Sequence, residues 1–162
     1  MGQIVTQDEL KQLLDYDPET GLFRWKKPAG RGGRYPAGSI AGGLNGQGYT
    51  SIRVGSERDV AHRLAWLYMT GSLPDHDIDH VNQARSDNRW CNLRKATQSE
   101  NSINSRVRVN NKTGYKGVSM QEGRFMANIT HQYTRYYLGM FDTADKAAVA
   151  VSAKRKELFG EF

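Results

Sequence analysis

The residue types that could do chemistry gather between positions 79 and 101. Asp79 and His80 are adjacent, Asn92 lies 12 residues beyond His80 and Asn101 lies 21 beyond it. One carboxylate, one imidazole and two carboxamides suit metal-assisted hydrolysis of a phosphodiester. A hard cation such as Mg²⁺ or Mn²⁺ takes few protein oxygens and keeps several waters, and Asp79 and Asn101 can supply two. An imidazole whose ordinary pKa is about 6.5 can accept a proton from attacking water at neutral pH.

Such a set needs elements that fold it together. The Asp79-His80 pair ends an apolar-tipped strand, and Leu93–Ala96 can return as its hairpin partner. Thr97-Gln98-Ser99-Glu100 has the spacing of a capping box, so a helix starts there and carries Asn101 on its first turns. A strand-loop-strand-helix unit brings Asn101 back beside Asp79 and His80.

Upstream, Thr6-Gln7-Asp8-Glu9 opens a short helix through Leu10, Leu13 and Leu14, a turn follows at Asp17–Gly21, and Leu22–Trp25 reads as a strand. Residues 27–48 are glycine-rich loops and turns. Residues 48–54 alternate as a half-buried strand, and Ala61, Leu64, Ala65 and Tyr68 mark one face of a helix that Gly71 and Pro74 end. After the cationic stretch SRVRVNNKT, strand-like runs at 115–119, 123–130 and 135–141 precede a helix through Ala144, Ala147, Ala148 and Val151. Strands and helices do not alternate regularly, so the class expected is α+β in two units.

Composition narrows the function classes. The 162 residues carry 23 Lys and Arg against 17 Asp and Glu, a net charge of +6, which suits a polyanionic partner. The single cysteine, Cys91, excludes an intramolecular disulfide framework and a multi-cysteine zinc ribbon, and is expected to be a half-buried thiol. No apolar run reaches the length of a membrane span. The opening MGQIVTQDEL lacks the basic-then-apolar order of a secretory signal, so a cytoplasmic location is expected.

IDHVNQARSDNRWCNLRKATQSENSINS, with AHRLAWLYMTGSLP and LLDYDPETGLFRWK upstream, resembles the HNH endonucleases of phages and mobile introns, over roughly residues 1–105. The resemblance implies a ββα-metal (His-Me finger) core at about 76–105. It implies that Asp79 binds the metal, that His80 is the general base, that Asn92 braces the loop and helps orient the base, and that Asn101 is a metal ligand where many members have His. Arg89, in the Asp-Asn-Arg turn, is expected mainly to hold the loop and secondarily to reach phosphate. His62 and His76 are expected to be non-catalytic.

Residues 114–162 resemble the plant apetala-two, or ethylene-response-factor, DNA-binding domain. The matching pieces are Tyr115-Lys116-Gly117-Val118, Gly123-Arg124-Phe125, Ala127 and Ile129, Leu138-Gly139-x-Phe141 and the Ala147-Ala148 helix. The resemblance implies a three-stranded antiparallel sheet packed on one helix, presenting Lys116, Arg124, Arg135 and Tyr137 to the major groove. Arg106 and Arg108 in the 106–113 linker would add phosphate contacts. Together the two resemblances imply a metal-dependent endonuclease of double-stranded DNA, of nicking or homing type, monomeric or homodimeric, needing no other protein partner, and active in a bacterial host cell. The alternative is a non-cleaving DNA-binding regulator whose nuclease unit has decayed.

Overall fold

The computed structural model describes residues 5–105, 107 and 110–160. They form a mixed α/β structure with small antiparallel sheets, divided into two compact units that meet in the chain at Thr97/Gln98. Among the described residues no helix is long and apolar enough to cross a membrane.

The first unit opens with α1 (Gln7–Leu13), held by the expected capping box: Thr6 Oγ1 accepts from the Glu9 amide, and the Glu9 carboxylate accepts from the Thr6 amide. Leu14 does not continue this helix. It begins β1 (Leu14–Asp17), which pairs antiparallel with β2 (Leu22–Trp25) across the Asp17–Gly21 turn. Alternation decides the switch: Leu14 and Tyr16 are buried while Asp15 and Asp17 face outward. A second sheet has the order β3 (Gly43–Leu44), β4 (Thr50–Val54), β5 (Glu57–Val60). It leads into α2 (Ala61–Thr70), which Gly71 ends in the left-handed conformation. Leu10, Leu14, Phe23, Ile52, Leu64 and Leu67 fill the core beneath these elements, with Tyr16, Phe23 and Tyr68 in edge and tilted ring contacts.

The unit closes with a two-stranded ribbon, β6 (Asp77–His80) against β7 (Leu93–Ala96), in which Asp79 is opposite Arg94 and His80 opposite Leu93. The connecting loop is pinned to the first hairpin. Tyr16 donates its hydroxyl to the Asn88 carbonyl at 2.6 Å, and the Trp90 amide donates to the Pro18 carbonyl at 2.9 Å. Gly21, at φ +72°, lies so close to the backbone of Asn88 and Arg89 that a Cβ there would collide with it.

The second unit begins with α3 (Gln98–Asn104), starting where the Thr97–Glu100 spacing predicts. Then come β8 (Val118–Gln121), β9 (Arg124–His131), β10 (Thr134–Phe141) and α4 (Ala144–Phe159), with sheet order β10-β9-β8. Alanines 127 and 147 are fully buried between sheet and helix with Val118 and Val151, and their small side chains let α4 lie close. The first strand starts three residues later than the pattern 115–119 predicts. Gly117 takes φ +73° and packs against the Asn128 carbonyl, which leaves Tyr115 and Lys116 outside the ladder. The linker cations Arg106 and Arg108 lie outside the described residues.

Candidate active site

His80 is the last residue of β6 and is 4% exposed. Its ring meets the edge of the His62 ring at 5.0 Å and the Tyr49 ring at 6.0 Å, and its Nε2 is 3.4 Å from Asn88 Oδ1. Burial is the largest influence on the imidazole and lowers its pKa; the Asn88 bond and the Asp79 charge act in the opposite sense. The ring is therefore neutral at pH 7. With Nε2–H donated to Asn88 the lone pair sits on Nδ1.

Asp79 is buried and accepts from Arg94 Nη2 at 3.0 Å and from Arg94 Nε at 3.2 Å, both on Oδ2. Arg94 is its cross-strand neighbour, so the ion pair follows from the register of the ribbon. Consecutive residues leave a strand on opposite faces. Asp79 and His80 thus flank the end of the ribbon.

Asn92 acts on the loop. Its Oδ1 accepts from the Asn82 amide at 2.9 Å, and its Nδ2 donates to the Asp87 carbonyl at 2.7 Å. The carboxamide that reaches the imidazole belongs to Asn88. Arg89 is held by Asp87, its Nε donating to Oδ1 at 2.8 Å and Nη2 reaching Oδ2. That clasp is the first cause of an Asp87 pKa of about 2. Cys91 is exposed, not half-buried.

Two further rings pack on His80: Tyr49 has no sequence motif to mark it, whereas His62 lies in the AHRLAWLYMTGSLP stretch. Tyr49 follows the glycine-rich segment and is sandwiched between the histidine pair and Arg85, whose guanidinium lies 4.9 Å from the ring. His62 is more than a helix-face residue: it is 9% exposed, its Nδ1 is buried without a partner, and burial depresses its pKa to about 3.

The remaining expected residues lie in the second unit. Asn101 is on α3, and within that unit its carboxamide makes no hydrogen bond among the described residues. Lys116 spends its ammonium on the Ser102 and Ile103 carbonyls and on Ser105 Oγ. Arg124, Arg135 and Tyr137 share the sheet face away from α4. Arg124 bonds the Met140 carbonyl and Asp142, and Tyr137 is 62% exposed.

The donor chemistry fits a hard cation. Among the described residues no group of three His, Cys, Asp or Glu side chains stands close enough to hold a metal by itself, which is not the four-ligand nitrogen and sulfur cage of structural zinc. An ion of the Mg²⁺ type needs only one or two carboxylates, its other positions going to waters and substrate phosphate. Asp79, buried and oxygen-bearing, meets that need.

Comparison with known proteins reaches this same region. Residues 59–103, from β5 into α3, match a family model described as HNH endonuclease. The chain is also 31% identical over 103 residues to an uncharacterized HNH endonuclease of Acanthamoeba polyphaga mimivirus. That alignment covers 62% of this chain and 54% of the viral protein, so the chain spans about half the length of that relative. No solved structure matches significantly.

Proposed function

We propose that the protein is a metal-dependent endonuclease of double-stranded DNA, with His80 as general base and Asp79 and Asn101 as the oxygen ligands of a Mg²⁺ or Mn²⁺ ion. The observation that carries the reading is the buried, neutral His80 at the ribbon end next to Asp79, inside the segment that matches HNH endonucleases. When bound, the cation supplies positive charge to the scissile phosphate and the leaving oxygen. The side chains do the rest. A phosphodiester lying across the end of β6 and β7 meets both groups that flank it. His80 Nδ1 takes the proton from the attacking water, while Asn88 fixes the tautomer and Tyr49 and His62 fix the ring plane. Asn92 holds the loop that delivers Asn88.

Binding strength is assigned to the second unit. Antiparallel strands with Arg124, Arg135 and Tyr137 on one open face suit the major groove, as in the apetala-two-like reading. The departures from that family's usual arginines at Ser119, Gln121 and Thr130 remove its target sequence from the proposal. Tethering a second DNA contact to a small cleavage pocket can raise affinity by about 10²–10⁴.

Supercoiled plasmid tests the activity. Conversion to open circles with Mg²⁺ and none with EDTA is the expected result, one active site cutting one strand. Duplex binding without conversion in either buffer would replace the nuclease with the non-cleaving regulator.

A further inference from the structure

The second unit contains a cleft of about 490 Å³ far along the chain from the Asp79-His80 pair. The C-terminal turn of α3 forms one wall, Lys116 and Gly117 another, the end of β9 a third, and Val151 and Arg155 of α4 the fourth. Arg155 is the unusual member. Its Nε is buried without a hydrogen-bond partner, and its guanidinium makes no hydrogen bond or ion pair among the described residues. Leaving a charged donor unpaired out of water costs more than leaving a neutral one unpaired. Asn128, Ile129 and Thr130 at the end of β9 also line the cleft.

The lining is one-sided in charge. Lys116 and Arg155 are its ionisable members and no carboxylate joins them. The two cations feel one another: burial first, and the Arg155 charge second, lower the Lys116 pKa. Lys116 has its three protons committed to α3 and Ser105, so it contributes charge, while Arg155 keeps unfilled donors.

We propose that this cleft is a phosphate-binding site, in which the Arg155 guanidinium grips a tetrahedral oxyanion and Lys116 adds positive charge from the facing wall. A guanidinium fork with a second cation nearby and no carboxylate in the lining suits a multiply charged phosphate. The phosphate belongs either to the backbone of bound nucleic acid or to a free phosphorylated compound. The first source rests on the DNA-binding reading above and the second does not.

The experiment uses the full chain, isotopically labelled, titrated with inorganic phosphate against sodium chloride at matched ionic strength. Saturable shifts of the Gly117, Asn128 and Thr130 amides and of the Arg155 Nε–H are expected. Arg155→Gln should weaken them by about tenfold or more. Arg155→Lys keeps the charge, loses the fork and should also bind more weakly, which covers the case that Arg155→Gln does not fold. In parallel, duplex binding is measured as a function of salt. A slope of log affinity on log salt that falls by about one in Arg155→Gln assigns the phosphate to DNA, with or without phosphate shifts. An unchanged slope with phosphate shifts that weaken in the variant assigns it to a free compound. Phosphate shifts that are absent, or indifferent to Arg155, together with an unchanged slope overturn the site.

Discussion

His80→Ala should lower plasmid cleavage by about 10²–10⁴ and leave duplex affinity unchanged, because a positioned general base contributes that much to a proton transfer. The ring is not a surface group that phosphate could attract by charge. It is 4% exposed, packed against His62 and Tyr49, and held at Nε2 by Asn88. Desolvation lowers its pKa, so the base form persists to more acidic pH than an ordinary histidine allows. The pH profile of the wild type should accordingly stay flat as pH falls towards 6.5, the ordinary histidine value, and decline only below it. A variant that cleaves at the wild-type rate, or whose loss of cleavage matches a loss of binding, would remove His80 from the role of base.

The second large effect concerns stability. His62 has a pKa of about 3 in the folded protein against 6.5 for an unperturbed histidine, with burial the main cause, then the His80 and Arg63 charges. Between those values the unfolded chain binds a proton that the native ring refuses. Its contribution is therefore fully present above pH 6.5 and is lost as pH falls towards 3. The slope is at most about 1.4 kcal/mol per pH unit in that window. Urea midpoints read across it should fall steeply in the wild type and less steeply in His62→Gln. His80 titrates with the same sign and accounts for slope that remains. Asp87, lowered from 3.8 to about 2, loses its stabilising charge only as pH falls through that lower range. Equal slopes in wild type and variant would mean that His62 is not held neutral.

Much of the frame was legible because short-range rules set it. The capping box at Thr6, the turn at Asp17–Gly21, the left-handed stop at Gly71 and the ribbon from Asp79 to Ala96 each follow from residues a few positions apart. Leu14 misled because Leu10, Leu13 and Leu14 satisfy a helical period while Leu14 and Tyr16 satisfy a strand period. Pairing with Trp25 and Phe23 decided for the strand. Tyr115 and Lys116 read as strand until the positive φ of Gly117 is known. At the site, the Arg94 partner of Asp79 could have been found from register alone. The contacts of His80 could not. Tyr49 and His62 come from 31 and 18 positions upstream, and which of two asparagines in one loop faces the ring depends on how Tyr16 and Gly21 pin that loop. Cys91 looked half-buried between Trp90 and Asn92, yet the short helical turn that buries Asn92 turns the thiol outward.

The claim on which the function rests is that Asp79 and Asn101 share one divalent ion beside His80. Substoichiometric Mn²⁺ added to the labelled full chain reads this directly, since the paramagnetic ion broadens only signals near it. Broadening should begin together at Asp79, His80 and the Asn101 side chain, and should vanish from all of them in Asp79→Asn. Broadening of residues 79 and 80 while the Asn101 signal stays sharp, or broadening that ignores Asp79→Asn, would contradict the shared site.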